Sequence, residues 1–331
     1  MDNQQTCGAL ETFRLDVLNC WQRLPNKLLF FLLFAAWFLL FQFLGNSTLG
    51  YIHSPSLFRW MLDAYDANGD YLQSPDGYSV AVPFVVLALF WWKRKELIAL
   101  PLRAWAPGLL VLGFGVLLHV LAYLIQQPKL SIIAFFIGLY GLMGIAWGPE
   151  WLRASFFPFF LFAFCVPLGT QAQFITTPLR HLVAVIVAGI AHLGLAPSLV
   201  REGTQLMDVP SLDHPALGSF AYDIAPACSG IRSLVSLLAL TTIFGFVSFR
   251  TNWKRLLMMV AAVPLAVIGN VARISFTVVV AEAFGQDWGK RVETDFGFIT
   301  FAIAIAVILA MERWLREDKM EPQLALQEGT A

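Results

Sequence analysis

Nine long apolar runs decide which solvent this chain can fold in. They cover about Leu28–Leu44, Tyr78–Trp92, Ala106–Ile125, Leu130–Trp147, Ala154–Leu168, Phe174–Leu195, Ile231–Phe249, Leu256–Ala281 and Phe296–Met311. Each approaches the ~20 residues a helix needs to cross a bilayer, with the second, fifth and last on the short side. Hydrophobic residues make up 58% of the chain, charged ones 13%, and the mean hydropathy is +0.68. A water-soluble domain cannot carry that balance. The first run follows the polar residues 1–27 and precedes no small-residue cleavage site, so it reads as a retained span.

Lys plus Arg and Asp plus Glu both total 22, which argues for neither nucleic acid nor an acidic partner; only the placement of charge is informative. Basic residues in short loops resist translocation. By that rule Lys93-Arg94-Lys95, the group Arg250, Lys254 and Arg255, and the group Arg313, Arg316 and Lys319 all belong in the cytoplasm. Nine crossings would violate this, so one run lies outside the set. Phe174–Leu195 carries Arg180, His181 and His192 and is expected to be a helix on the outer surface. The expected fold is therefore an all-α polytopic membrane protein: about eight transmembrane helices, one interfacial helix and a small extracytoplasmic hairpin. Residues 1–27 form a cytoplasmic N-terminal segment, 28–316 the transmembrane domain and 317–331 a cytoplasmic polar tail. Cys228, Arg273 and Glu293 then share the outer face.

Cys228 sits in Pro226-Ala227-Cys228-Ser229-Gly230-Ile231-Arg232, at the mouth of an apolar helix. Pro is tolerated in a first helical turn, and unpaired amides there favour an anion. Arg232 lies one turn on, and both influences favour a thiolate. The blander alternative is a small buried residue at a tight Ser229-Gly230 helix start. Arg273, inside the eighth run, carries a charge that an apolar segment does not hold without a reason; it clamps an anion or pairs an acid in another span, with Asn270 on its face to orient it. Trp288–Phe298 is expected to be a short polar loop entering the last span, with Glu293 and Asp295 near its helix start.

In the outer segment 196–225, Gln205–Val209 and Phe220–Ile224 partly alternate around Pro210, Pro215 and Gly218, which predicts a hairpin leading into Cys228. An open strand edge there could take an extended peptide. Gly138, Gly141, Gly144 and Gly148 recur at the spacing of close helix packing. His119 is expected in the core. The four cysteines show no CxxC pairing and no metal spacing with the five histidines, so neither a metal nor a cofactor is expected.

At Ala227-Cys228-Ser229-Gly230-Ile231-Arg232 and at Asn270-x-x-Arg273-Ile274 the chain resembles the exosortase and archaeosortase family of membrane cysteine transpeptidases. The likeness extends upstream to Asp76–Pro83 and Trp91–Leu97 and covers roughly residues 75 to 311. It implies a Cys228 thiolate attacking a peptide carbonyl, with Arg273, and Arg232 in support, steadying the oxyanion. The substrates implied are exported proteins whose C-terminus carries a short motif, an apolar helix and basic residues. The setting implied is the bacterial cytoplasmic membrane, with lipid as a partner and the site on the extracytoplasmic side, and with a link to exopolysaccharide. One departure stands out: the family's usual third catalytic residue is a His, and Glu293 occupies that position, ahead of Gly297-Phe298. Either His214 takes over the acid role or the chemistry is altered. Rival readings are an anion-binding transporter and a non-catalytic scaffold of an export system.

Overall fold

The computed structural model describes residues 2–66, 69, 71, 74, 76–168, 173–195, 199–208, 221–223, 231–249 and 251–315. The chain divides into two compact units, Met1–Gly169 and Thr170–Ala331. All nine apolar runs form helix over most of their length.

The first unit comprises α1 (Asp2–Arg23), α2 (Lys27–Leu44), α3 (Leu57–Tyr65), α4 (Val82–Trp92), α5 (Arg94–Ile98), α6 (Gly108–Leu124), α7 (Pro128–Trp147) and α8 (Pro149–Phe160). Its core is the α6–α7 hairpin with α2 laid along it. The backbones meet because side chains are missing where they cross: a Cβ on Gly141 would stand 2.6 Å from the Leu112 amide nitrogen, and one on Gly115 2.9 Å from that of Gly138. The indole of Trp37 fills the groove over Gly138 and donates to the Phe135 carbonyl at 3.0 Å. The glycine stripe thus does what its spacing predicts, except at Gly148. That residue lies beyond the end of α7 with φ +97°, a conformation suited to glycine, and turns the chain into α8. His119 is buried as expected, its ring nitrogens 3.2 Å from Ser131 Oγ and from the Leu44 carbonyl. The fifth run tightens after Pro158 into a 3₁₀ turn at Leu161–Cys165.

The polar N-terminal segment forms α1, which docks on the start of α5. The Phe13 ring lies 4.8 Å from that of Trp91, Asp16 accepts from Arg94, and the Arg94 guanidinium stacks 4.3 Å over Trp91.

The second unit begins with α9 (Gln173–Ile190), continues through β1 (Leu199–Glu202), β2 (Gln205–Asp208) and β3 (Ala221–Asp223), and ends with α10 (Ile231–Ser248), α11 (Asn252–Phe284) and α12 (Gln286–Leu315). The expected pairing is present, antiparallel with Leu206 opposite Tyr222. A third strand, β1, was not foreseen; it joins β2 through a tight turn in which Gly203 takes φ +63°. Leu199 and Leu206 point into a core with Val183, Ala184, Val187 and Ala188 of α9 and Ile274, Val278 and Ala281 of α11.

The predicted loop Trp288–Phe298 is a correction: these residues lie inside α12, which starts at Gln286. The reversal between α11 and α12 is made by Gly285 alone, at φ +90°, with its amide bonded to the Ala281 carbonyl at 2.8 Å. Polarity there reports contact with water, but Lys290, Arg291 and Glu293 are good helix formers, and Asp287 sits in a first turn that favours an acid.

Among the described residues four helices are long and apolar enough to cross a membrane, within Lys27–Leu44, Pro128–Trp147, Asn252–Phe284 and Phe296–Leu315. Shorter apolar helices occupy Gly77–Trp92, Gly108–Leu124, Thr177–Leu193 and Leu234–Ser248. The tail 317–331 lies outside the described residues.

Candidate active site

The site is built on the three-helix bundle α10–α12. At one end, Lys254 Nζ donates to the Leu315 carbonyl at 3.0 Å and Arg255 Nε to the Phe249 carbonyl at 2.8 Å. Two cations thereby satisfy the unpaired carbonyl ends of α12 and α10. Lys254 and Arg255 of one basic group and Arg313 of the other accordingly share one end of this bundle.

Arg273 follows Lys254 by roughly 28 Å of helix at 1.5 Å per residue, close to the ~30 Å of a hydrocarbon core. Its Nη2 donates to Asn270 Oδ1 at 2.8 Å, one turn back on the same face. The side chain then runs along Gly297 of α12: a Cβ placed there would stand 3.6 Å from Nη1 and 3.8 Å from Cδ. Arg273 is thus held by an acceptor from its own helix and lies within ordinary contact reach of the next. Beside it is a cleft of about 30 Å³, large enough for one water, with Leu237, Asn270, Arg273, Gly297, Thr300 and Ala304 in its wall. The Phe276 and Phe296 rings stack at 4.4 Å and pin the two helices just above.

The register of the α10–α11 hairpin sets the level at which α10 begins. A Cβ on Gly245 would stand 3.3 Å from the Arg255 carbonyl oxygen, and Leu237 shares the cleft wall with Leu265 and Ala266. Each step back along α10 matches a step forward along α11, which brings Ile231, the first residue of α10, level with the turn that carries Arg273. Cys228 precedes Ile231 by three residues in the sequence.

Of the residues singled out above, Arg273 and Asn270 are brought together. Arg232 stands in the first turn of α10, and Glu293 stands in α12 one turn before Gly297, on the same helix face; both side chains lie outside the described residues, as do Cys228, Ser229 and His214 altogether. Thr277, one turn beyond Arg273, is a buried polar residue that sequence reading passed over, since nothing separates it from any other threonine in an apolar run.

Fold and site define an integral membrane protein of apolar helices, one of whose hairpins carries an arginine held inside it by hydrogen bonding. Residues 72–310 match the transmembrane exosortase family, and the chain belongs to that family. Membership supports a role of the membrane-transpeptidase type. No curated protein and no solved structure matches the chain.

Proposed function

We propose that this protein is a cysteine transpeptidase or protease that cuts the C-terminal sorting signal from exported proteins at the outer face of a bacterial cytoplasmic membrane, in the service of surface anchoring linked to exopolysaccharide. It crosses the bilayer eight times, with α9 lying on the outer surface. The Cys228 thiolate attacks the scissile carbonyl carbon, and Arg273, supported by Arg232, steadies the oxyanion that forms. Collapse of that intermediate leaves a thioester on Cys228 and expels the C-terminal helix as an amine, which takes its proton from the acid at the third position, Glu293 or His214. Water or an acceptor amine then resolves the thioester and restores the thiol.

The observation that carries this reading is the pairing of Arg273 with Asn270 at the level where α10 begins, just past the cysteine motif. The amide oxygen fixes one end of the guanidinium, so the cation is already in position when an oxyanion forms.

The test is processing of an exported protein from the same cell that ends in a short motif, an apolar helix and arginines. Cys228→Ala and Arg273→Ala should each leave it at full length, and an impermeant maleimide should label Cys228 from outside. Normal processing in Cys228→Ala, with anion flux or polymer export intact, would leave a transporter or a scaffold in its place.

A further inference from the structure

Three threonines of α10 and α12 return their hydroxyls to the preceding turn, and Thr277 of α11 does not. Thr241 Oγ1 donates to the Leu238 carbonyl at 3.1 Å, Thr242 Oγ1 to the same carbonyl at 2.6 Å, and Thr300 Oγ1 to the Phe296 and Gly297 carbonyls at 3.2 and 3.1 Å. Back-bonding to the preceding turn is how a threonine in an apolar helix disposes of its hydroxyl. Thr277 is only 3% exposed, yet its Oγ1 has no hydrogen-bond partner among the described residues. Asn270, 5% exposed, gives its oxygen to Arg273, and its Nδ2 likewise finds no partner there. A buried polar atom left unpaired carries the cost of its lost hydration, so two on one helix face ask for a ligand.

They bracket Arg273. Asn270, Arg273 and Thr277 fall on one stripe of α11, between the face that packs on α9 through Ile274 and Val278 and the face that packs on α12 through Gly269 and Phe276. The stripe is ~10 Å long at 1.5 Å per residue, the span of about three residues of extended peptide at ~3.4 Å each. It presents neutral donors on either side of a cation, which suits main-chain carbonyls flanking a reacting one and takes no account of side chains.

We propose that Asn270 Nδ2 and Thr277 Oγ1 form a binding strip for the main chain of the substrate peptide, with Thr277 a positioning residue for the bond presented to Arg273. This rests on the peptide-cleaving reading above.

The test uses acetyl-Ala-Ala-Ala chloromethyl ketone, which has a main chain but almost no side chains, against iodoacetamide, which has neither. Alkylation of Cys228 is followed in the full-length protein in membranes. Thr277→Val, which keeps shape and loses the hydroxyl, should raise the half-saturating concentration of the peptide reagent about fivefold to tenfold and leave its maximal rate and the iodoacetamide rate unchanged. Thr277→Ser should restore wild-type saturation. An unchanged half-saturation in Thr277→Val, or an equal slowing with both reagents, overturns the strip while the nucleophile stands. If neither reagent alkylates Cys228 in the wild-type protein, the strip falls together with the reading beneath it.

Discussion

Asn270→Leu removes the hold on Arg273, together with the amide donor of the proposed strip, with little change of volume. In the structure Arg273 Nη2 donates to Asn270 Oδ1 at 2.8 Å, and the side chain passes close to Gly297 of α12. A hydrogen bond to a charged group contributes ~1.5–3 kcal/mol, which at 1.36 kcal/mol per tenfold corresponds to a roughly 10- to 150-fold effect on binding of an oxyanion-like state. The assay is the inhibition constant of acetyl-Ala-Ala-alaninal, whose tetrahedral thiol adduct imitates the developing oxyanion, read by protection of Cys228 from a fluorescent maleimide. The expected result is a weakening within that range, exceeded only by Arg273→Ala. Unfolding in detergent serves as the control. Loss of the acceptor of a charged donor should itself lower the midpoint modestly, so inhibition constants are compared at a temperature where both proteins are folded. An inhibition constant within about twofold of wild type, beside a large loss in Arg273→Ala, would refute the claim that Asn270 aims the guanidinium.

Gly141→Val should force α6 and α7 apart, because a Cβ would already stand 2.6 Å from the Leu112 backbone; overpacking of this kind costs ~1–3 kcal/mol, to be seen as a lowered midpoint of detergent unfolding. Lys254→Met uncaps the Leu315 carbonyl and should raise amide exchange in the last turn of α12, with little effect on the thiol. The hydrogen bond from Arg94 holds the Asp16 carboxyl below its ordinary value, and burial pushes the Cys20 thiol on the same helix upward. A depressed carboxylate supports the docking of α1 above its unfolded value, near 3.9, and loses that support as pH falls through the lowered one. At neutral pH, Asp16→Ala should therefore speed alkylation of Cys20 severalfold, and an unchanged rate would mean that α1 is held by its aromatic contacts alone.

How much of this was legible in the sequence depends on which physical force wrote the signal. Apolar runs mark the solvent, and in a bilayer an unpaired backbone is too costly to leave open, so each run had to become helix. The glycines of α7 were legible for the same reason: only the absence of a Cβ lets two such helices touch. The polar stretches misled, because charge reports water and not backbone form. Residues 2–23 and 288–298 are as helical as the spans they precede, and the chain reversal between α11 and α12 rests on Gly285, whose φ of +90° no pattern of polarity announces. Strand β1 escaped since Leu199–Glu202 buries Leu199 alone and so shows no alternation. Arg273 stood out as a charge among apolar neighbours, and its partner followed from helical spacing. Thr277 could not stand out, for its distinction is a hydrogen bond it does not make.

The carboxylate at the family's histidine position follows from the same helix. Glu293 lies one turn before Gly297 in α12, and Gly297 is where α12 comes near the Arg273 side chain. An acid that merely neutralised Arg273 would weaken its grip on an oxyanion, and Glu293→Gln should then tighten the peptide aldehyde and speed processing. An acid that delivers a proton to the departing amine acts after the tetrahedral state has formed. Glu293→Gln should in that case leave aldehyde binding within about threefold of wild type yet slow processing of the exported reporter by ~10²–10⁴-fold, the usual worth of a placed proton donor. The second outcome is expected, with Glu293→His, the residue usual in the family, recovering part of the loss. Wild-type processing in Glu293→Gln would remove Glu293 from the reaction and transfer the proton to His214, whose replacement by Ala should then abolish it.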